Sequence, residues 1–421
     1  MTQPARREGW SAADAEEWLL SLELFGMRFG LDRMRRLLTA LGSPQERYGA
    51  IHVVGTNGKS STTRMIAALL ERHGVTAGSY LSPHLISFAE RIRVGDTDIG
   101  EDAFAAAVAR ARQATERVDR TLEGDDCVTQ FEALTAAALD ELARQGVDVA
   151  VVEAGLGGRY DATNVLGAPV VVLTNVGLEH TRWLGPTVAD IAREKLAVVP
   201  SGGTLVLGAD LHPDALREAE AVAARQGATI VRAPADPGVP VHALGGFQRR
   251  NFAAAMEAAR AWLGRLDDEA VRAAAAQVAV PGRFQLVDRT PDTILDGAHN
   301  PGGMEALAAS LPEFLAGRPL TAVVSVLDDK DAAAMLGALL PHCAHVVVTS
   351  NANPRALSPA TLESLAAQVA TVPIHREPDP KRALAHGREL AGPGGVVLAT
   401  GSIYLIADLL RSDGARRVSM L

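Results

Sequence analysis

Apolar and polar positions follow one repeating order along most of this 421-residue chain. Short apolar runs, which predict buried strands, are separated by longer amphipathic stretches, which predict helices. One such series covers about residues 51–277 and a second covers residues 293–411. Because strands that alternate with helices usually pair in parallel, the pattern predicts an α/β protein. We expect an N-terminal P-loop-type, mostly parallel sheet domain and a second, smaller, Rossmann-like C-terminal domain.

A helical preface precedes the first series. Trp18, Leu19, Leu22 and Leu24, and then the apolar positions of residues 31–38, predict helices over 14–42 that end at Gly42 and Pro44. The first series then predicts strands 51–54, 75–81, 148–153, 169–174, 204–207 and 228–232, with helices 61–73, 101–117, 130–145, 188–198, 212–225, 248–263 and 267–277.

The second series predicts a separate unit. Its expected strands are 293–296, 320–327, 345–349, 372–375 and 395–400, with helices 303–316, 330–339, 359–370, 380–391 and 403–411. Two prolines and a glycine interrupt both patterns over residues 281–292, which is typical of a domain boundary. We therefore divide the chain into residues 1–285 and 286–421.

Composition excludes several classes of protein. The net charge is −9 and charges of both signs are interspersed, so the basic face that nucleic-acid binding requires is absent from the sequence pattern. Cys127 and Cys343 are far apart and are expected to be two buried thiols in a reducing compartment. No apolar run has the length of a signal peptide or a membrane span, so we expect a cytoplasmic protein without a membrane partner.

The segment IHVVGTNGKSSTT, residues 51–63, carries the clearest chemistry. Gly55 and Gly58 allow a turn whose backbone N–H groups face phosphate oxygens, and Lys59 adds a positive charge. The hydroxyls of residues 60–63 open a helix, whose N-terminus favours anions. Val53 stands where the usual P-loop has its first glycine, so this is a shortened variant. The pattern predicts binding of a nucleoside triphosphate.

Polar residues follow the predicted strands at the edge where ligands of open α/β sheets bind. Ser82, Glu153 and His180 come after three different strands and offer a hydroxyl, a carboxylate and an imidazole, which suit Mg²⁺ or Mn²⁺. Taken singly, each has an ordinary structural alternative: a turn hydroxyl, a salt-bridged carboxylate and a core or capping imidazole. Together with the phosphate loop they favour a metal site.

For other polar residues the sequence pattern favours a functional role less strongly. Lys195 lies on a predicted helix, where a lysine is usually solvated, although a deprotonated lysine in a cleft can accept carbon dioxide. In LDGAHNPGG, residues 295–303, Asp296, His299 and Asn300 form either an ordinary β-to-α turn or a polar lip that closes over a nucleotide. Arg283, in the linker, is placed to contact phosphate when the domains close.

The ordered motifs of this chain resemble those of the folylpolyglutamate synthase/dihydrofolate synthase family of the Mur-ligase superfamily. They are IHVVGTNGKSS (51–61), SPHL with FAERIRV (82–94), TQFEALT (129–135), EAGLGGRYDATN (153–164), NVGLEHTRWLGPTVADIAREK (175–195), FQRRN (247–251), GRF (282–284), DGAHNP (296–301) and NPRAL (353–357). The chain departs from the family pattern at three places: Ser60 replaces the usual glycine, Glu179 the usual aspartate, and Leu196-Ala197 the common Ala-Gly. None of these departures removes a proposed ligand.

The resemblance implies a set of site residues. Catalysis would involve Lys59, His180 and Lys195, and Lys195 would be carbamylated. ATP would contact Thr56, Asn57, Gly58, Lys59, Ser60, Ser61, Asn251, Arg283, Asp296 and His299. One or two Mg²⁺ ions would be held by Ser61, Ser82, Glu153 and His180. The pterin would contact Thr129, Phe131 and Asp161, and also the nearby segment Leu31, Asp32 and Arg33.

The implied reaction joins the amine of L-glutamate to the carboxylate of dihydropteroate or a reduced folate. ATP would phosphorylate the carboxylate, and the amine would attack the resulting acyl phosphate. The family further implies a monomer. Two alternatives stay open at this point: a peptidoglycan-type Mur ligase, and a P-loop NTPase switch that forms no bond. Whether the chain makes dihydrofolate, extends polyglutamate tails or does both also stays open.

Overall fold

The computed structural model describes residues 10–22 and 30–411, which form two domains with one sheet each. The N-terminal sheet has eight strands: β1 (Gly49–Val54), β2 (Ala77–Tyr80), β3 (Ile92–Val94), β4 (Thr97–Asp98), β5 (Val149–Glu153), β6 (Val170–Leu173), β7 (Thr204–Leu207) and β8 (Thr229–Arg232). Their spatial order is β4-β3-β2-β5-β1-β6-β7-β8. All neighbours pair in parallel except β2 with β3 and β3 with β4.

Ten helices accompany this sheet in the described residues. They are α1 (Ala12–Ser21), α2 (Asp32–Ala40), α3 (Lys59–Arg72), α4 (Glu101–Asp119), α5 (Gln130–Arg144), α6 (Thr181–Leu184), α7 (Val188–Leu196), α8 (Pro213–Gln226), α9 (Gly246–Leu263) and α10 (Asp268–Gln277). Helices cover both faces of the sheet, so its central strands are buried on both sides and consist almost wholly of apolar residues.

The register of β1 and β5 brings Glu153 next to the start of the phosphate loop. Val53, near the end of β1, is paired with Glu153, the last residue of β5. The chain leaves β1 directly into the phosphate loop, and α3 begins at Lys59. The Glu153 carboxylate therefore lies at the same sheet edge as the loop, as expected for carboxyl ends of parallel strands.

In the described residues, the C-terminal domain consists of a six-stranded sheet and five helices. The strands are β9 (Gln285–Arg289), β10 (Asp292–Leu295), β11 (Leu320–Val324), β12 (His345–Val348), β13 (Ile374–Arg376) and β14 (Val396–Thr400), in the order β13-β12-β11-β14-β10-β9. The helices are α11 (Pro301–Leu315), α12 (Ala332–Leu339), α13 (Pro359–Val369), α14 (Pro380–Ala391) and α15 (Ile403–Leu410). Only β9 runs antiparallel to its neighbour.

The α/β fold with two sheet domains is confirmed, and the differences from the sequence predictions are local. The preface is two helices, α1 and α2, and Leu24 lies outside the described residues. The short strands β3 and β4 and the four-residue helix α6 were not predicted. The second unit begins at Gln285 with β9, because residues 285–295 form an antiparallel hairpin and not an irregular linker. The boundary between residues 285 and 286 stays a prediction.

Two further expectations concern the cysteines and membranes. Cys127 and Cys343 are both half-buried, so the expectation of two buried thiols is wrong. Burial raises the pKa of the Cys343 thiol to about 12. Among the residues the structure describes, no helix is both long enough and apolar enough to cross a membrane.

Candidate active site

A cleft of about 850 Å³ lies between the two domains, at the carboxyl ends of β1, β5 and β10. The phosphate loop and Glu153 form one wall, and residues 296–303 face them from the C-terminal domain. The predicted site residues on its lining are Arg33, Thr56, Asn57, Gly58, Lys59, Ser60, Ser61, Ser82, Thr129, Phe131, Glu153, Asp161, His180, Asn251, Arg283, Asp296 and His299. The structure therefore brings together groups that are up to 266 residues apart in the sequence, from Arg33 to His299.

The phosphate loop is held by contacts with its neighbours. Asn57 N donates to Asn175 Oδ1 at 2.8 Å and Thr174 Oγ1 donates to the Asn57 carbonyl at 2.7 Å. Gly58 has a φ of 82°, and a Cβ at this position would lie 2.5 Å from Asn251 Oδ1. Only glycine fits both the left-handed turn and the close approach of α9. The loop shape is thus fixed by the fold.

Glu153 forms an oxygen-rich corner beside the loop. Its carboxylate is 1% exposed, accepts from Ser60 Oγ at 3.0 Å and from Ser82 N at 3.1 Å, and has no lysine or arginine within ion-pair distance among its described contacts. Burial raises its pKa, and the positive charge of Lys59 opposes that shift. A buried carboxylate beside a serine hydroxyl offers oxygen donors that suit a hard divalent cation.

His180 projects into the cleft from the turn that opens α6. Its backbone is left-handed, with a φ of 52°, which is uncommon outside glycine and often marks a functional position. Desolvation by the cleft wall lowers the pKa of the imidazole to about 4, so the ring is neutral near pH 7 and able to bind a metal. In the described part of the chain no three His, Cys, Asp or Glu side chains form a ready metal cluster, so any cation here needs serine oxygens and water as well.

Glu179 links the two domains across the cleft. Its Oε1 lies 3.4 Å from His299 Nε2 and 3.6 Å from Lys330 Nζ, both in the C-terminal domain. Burial alone would raise the pKa of Glu179, but the adjacent imidazole of His299, with smaller contributions from His180 and Lys330, holds it far below its ordinary range. The Glu179 side chain therefore reaches from the N-terminal domain to the opposite one.

Asp296 organises the turn that faces the phosphate loop. It is 3% exposed and accepts from the backbone N–H groups of Phe284 and Ala298, each at 2.8 Å. Burial raises its pKa, and the charge of Arg283 opposes this. The Arg283 guanidinium donates to the Gly282 carbonyl at 3.1 Å and lies on the cleft wall. Asp296 therefore fixes the linker against the 296–303 turn.

Lys195 lies behind the loop and not on the cleft wall. Its ammonium is buried, with the residue 5% exposed, and donates to the Gly55 carbonyl at 2.8 Å. Burial, with the nearby charge of Lys59, lowers the pKa of Lys195 to about 7. A substantial fraction of the side chain is therefore a neutral amine near pH 7.

The other end of the cleft is aromatic. Phe131 lies 6.2 Å from Tyr80 between ring centroids, and a Cβ on Gly155 would lie 2.5 Å from Phe131 Cζ. Asp161 accepts from the Leu156 and Thr163 N–H groups at 2.7 and 3.0 Å, and burial raises its pKa. Glycine at position 155 thus lets the edge of the Phe131 ring pack against the backbone, while the ring lines the cleft.

The preface contributes one residue to this end. Arg33 Nε donates to both carboxylate oxygens of Glu132 at 3.1 Å, which brings α2 to the N-terminus of α5. Asp32 is exposed and pairs with Arg36 at 2.8 Å. Neither Leu31 nor Asp32 is among the described residues that line the cleft, so of this segment only Arg33 lies where a ligand would contact it.

Comparison with known proteins decides the family. The chain matches the Mur ligase middle domain over residues 53–231 and the Mur ligase, glutamate ligase domain over residues 282–403. It is 34% identical to the dihydrofolate synthase/folylpolyglutamate synthase of Bacillus subtilis, and the match covers 94% of this chain and 97% of that protein. The chain belongs to the dihydrofolate synthase/folylpolyglutamate synthase family. It is therefore an ATP-dependent, ADP-forming ligase.

Other members of the family agree in sequence and structure. The chain is 36% identical to a probable bifunctional folylpolyglutamate synthase/dihydropteroate synthase of Haloferax volcanii, of which it spans half the length. The folylpolyglutamate synthase of Mycobacterium tuberculosis complexed with ADP superposes with a TM-score of 0.87 at 32% identity, over 95% of this chain and 98% of that one. E. coli FolC in complex with DHPP and ADP superposes with a TM-score of 0.85 at 29% identity, over 97% and 98%.

Several residues that line the cleft were given no role from the sequence. Lys330 and Arg355 come from loops after β11 and β12, Tyr404 from α15, and Trp183 from α6. Arg91, inside a quoted motif, was given no role, although it is buried and lies on the cleft wall. The available signal was position, because four of these five follow a predicted strand closely or lie within a family motif.

Proposed function

We propose that this member of the family ligates L-glutamate to dihydropteroate, to a reduced folate or to both, through an acyl phosphate made with ATP. The observation that carries the proposal is one continuous cleft. Its phosphate loop, oxygen-rich corner and aromatic end form a single lining, with polar residues of the second domain opposite. The phosphate loop suits a nucleotide, the oxygen-rich corner suits a divalent cation near the reacting carboxylate, and the aromatic end suits a pterin ring.

The nucleotide end suits phosphoryl transfer. Loop N–H groups and the N-terminus of α3 face the phosphate position, and Lys59 Nζ, 3.1 Å from the Gly55 carbonyl and 3.0 Å from the Thr56 carbonyl, lies within the same loop. A divalent cation held by Ser61, Ser82, Glu153 and His180 would supply charge stabilisation for the transferring oxygens. The solved bifunctional enzyme with Mn, AMPPNP and L-glutamate bound, at 30% identity and a TM-score of 0.82 over 94% of this chain and 97% of that one, supports such a site.

The aromatic end suits the pterin-bearing substrate, whose carboxylate is the acyl donor. Phe131 would stack on the pterin ring, while Thr129, Asp161 and Arg33 would contact its polar edge. Both Asp161 oxygens already accept backbone N–H groups, so the carboxylate is rigidly oriented towards the cleft. E. coli FolC in complex with DHPP and ADP supports a second ligand in addition to the nucleotide.

The interdomain contacts suit a reaction that must exclude water. An acyl phosphate hydrolyses unless it is shielded, and the cleft is bridged on one side by Glu179 with His299 and Lys330. On the hinge side, Arg249 pairs with Glu313 at 2.8 Å. Closure around ATP would shield the intermediate, and opening would release ADP and product.

We further propose that Lys195 becomes carbamylated. Carbamylation consumes a neutral amine, and the pKa of Lys195 is lowered to about 7. The product would be an anion beside the Lys59 ammonium, where two lysines now repel each other. Intact-protein mass spectrometry after equilibration with ¹³C-labelled bicarbonate tests this, and Lys195→Met is the control that must stay unlabelled.

The deciding experiment is turnover with purified protein. We expect release of ADP and phosphate that depends on both L-glutamate and either dihydropteroate or a reduced folate monoglutamate, with an amide product detected by mass spectrometry. Comparing turnover of dihydropteroate with turnover of the reduced folate monoglutamate distinguishes a monofunctional from a bifunctional enzyme. Turnover with a nucleotide-linked sugar peptide would favour the peptidoglycan-type ligase, and hydrolysis without an acceptor would favour the NTPase switch.

A further inference from the structure

The segment from Ser82 to Arg91 starts and ends on the cleft wall but leaves the cleft in between. Ser82 and Arg91 both line the cleft, whereas Leu85 is buried against the C-terminal domain. The segment belongs to the N-terminal domain, since it joins β2 to β3. It therefore forms a direct connection between the site and the second domain. We call residues 82–91 the bracket.

Leu85 is inserted at the hinge between the domains. It is 7% exposed and belongs to an apolar cluster whose other members, including Leu295, Leu405 and Ile406, are all in the C-terminal domain. Its Cδ1 lies 3.2 Å from the point where a Cβ on Gly282 would be, and Ile406 Cγ2 lies at the same distance from that point. Leu85 thus fills a notch formed by the linker and α15. When the C-terminal domain moves, the surroundings of Leu85 move with it.

The bracket is internally rigid. The Glu90 carboxylate accepts three backbone N–H groups, those of Leu85 at 2.9 Å and of Ile86 and Ser87 at 2.8 Å each. Arg91 Nε donates to His84 Nδ1 at 2.9 Å. These bonds hold Leu85, Ile86 and Ser87 to Glu90, and His84 to Arg91. Charge-assisted bonds of this kind are among the stronger hydrogen bonds. Because these bonds join residues 84–91 into one unit, we expect a displacement of Leu85 to reach Ser82, two residues before His84.

The first residue of the bracket contacts the carboxylate of the oxygen-rich corner. Ser82 N donates to Glu153 Oε2 at 3.1 Å, while Ser60 Oγ donates to Glu153 Oε1 at 3.0 Å. Any shift of Ser82 changes the orientation of the Glu153 carboxylate relative to the phosphate loop. Oxygen donors must be placed closely for a small divalent cation, because Mg²⁺ requires near-octahedral geometry.

We propose that Leu85 is a positioning residue that couples the placement of the C-terminal domain to the geometry of the Ser82–Glu153 corner. Divalent-cation binding then depends on the position of the C-terminal domain. The bracket, and not the cleft residues alone, provides this dependence. The inference rests on the proposed cation site at this corner.

Leu85→Ala tests the coupling, and Val347→Ala is the matched control. Val347, on β12, is fully buried in the same apolar cluster but is remote from the bracket in the sheet order. Because small misplacements of reacting groups cost up to about 100-fold, we expect Leu85→Ala to lower kcat by about 10- to 100-fold. We expect it also to weaken Mn²⁺ binding in the ADP complex, measured by electron paramagnetic resonance. Val347→Ala should lower Tm comparably and leave kcat and Mn²⁺ affinity within about twofold of wild type.

Two further readouts separate positioning from loss of stability. Leu85→Met keeps the apolar volume and should restore most of the Mn²⁺ affinity. If Leu85→Ala does not fold, Leu85→Val carries the same comparison. Equal Mn²⁺ affinity and equal kcat in Leu85→Ala and Val347→Ala would overturn the coupling. Absence of Mn²⁺ binding in the wild-type ADP complex would instead overturn the proposed cation site.

Discussion

Asn57 in the phosphate loop and Asn300 at the start of α11 exchange two hydrogen bonds across the cleft. Asn57 Nδ2 donates to Asn300 Oδ1 at 3.1 Å, and Asn300 Nδ2 donates to Asn57 Oδ1 at 2.9 Å. Asn300 also caps α11, because its Oδ1 accepts from Gly303 N at 2.8 Å. The amide pair therefore fixes the phosphate loop directly to the helix of the opposite domain.

This pair predicts a selective effect of Asn300→Ser. Serine keeps a capping hydroxyl for α11 but is too short to reach Asn57. The substitution removes both hydrogen bonds of the pair, each of which contributes about 1 kcal/mol net, so we expect kcat/KM for ATP to fall about 10- to 30-fold with little change in Tm. Asn300→Ala, which also removes the cap, should lower Tm as well. An unchanged kcat/KM for ATP in Asn300→Ser would show that the pair has no role in closure.

Glu153→Gln separates function from stability. The variant keeps the shape of the side chain but removes the charge, so we expect a loss of turnover of about 100-fold or more. The pKa of Glu153 is raised above its ordinary value of about 4.5, so in the metal-free wild type its ionisation costs stability as pH rises through that range. The variant avoids this cost. Urea unfolding without divalent cation should show its stability relative to wild type increasing from acidic to neutral pH, and the opposite trend contradicts burial of an ionised carboxylate.

Lys195 predicts a pH dependence of the opposite kind. Its folded-state pKa of about 7 is below the ordinary 10.5, so between these values the unfolded chain binds more protons than the folded one. Stability then rises with pH across this window, whereas below about pH 7 the full cost of burying the ammonium is present. Relative to Lys195→Met, the wild-type free energy of unfolding should increase from pH 7 to 10.5 in bicarbonate-free buffer. Parallel pH profiles for the two proteins would exclude the lowered pKa.

The aromatic end predicts a substrate-selective effect of Gly155→Ala. The added methyl would lie 2.5 Å from Phe131 Cζ and must displace the ring that we assign to pterin stacking. Since stacking contributes about 0.5–1.5 kcal/mol beyond burial, the KM for dihydropteroate should rise at least several-fold, while the KM for ATP stays unchanged. Phe131→Ala should give the same pattern. A rise in both KM values would indicate a general distortion of the cleft.

The sequence was sufficient for the fold because the strand and helix periodicities of this chain are regular. The central strands β1, β5 and β6 are buried runs of apolar residues, which single them out in the sequence. The strands β4 and β9 were not predicted, because neither forms a buried apolar run. Both residues of β4 are exposed, and β9 is partly exposed. Short, half-exposed strands are defined by their partners and not by their own pattern.

Much of the site was also predictable, but contacts between the domains were not. The loop, Ser82, Glu153 and His180 follow strands whose parallel pairing brings their ends together. Position in the sequence does not show that Glu179 reaches Lys330 at 3.6 Å, or that Lys195 lies under the loop at the Gly55 carbonyl. The Glu179–Lys330 contact depends on the relative placement of the two domains, and the Lys195–Gly55 contact depends on packing within the N-terminal domain. No local pattern encodes either.

Isotope transfer from the carboxylate substrate tests the central claim, that one cleft makes an amide through an acyl phosphate. Dihydropteroate labelled with ¹⁸O in its carboxylate would be turned over with ATP and L-glutamate, and the released phosphate analysed by mass spectrometry. The proposed mechanism predicts one ¹⁸O transferred to phosphate for each amide formed, because the carboxylate oxygen leaves with the phosphoryl group. Phosphate that contains no oxygen from the carboxylate would contradict it.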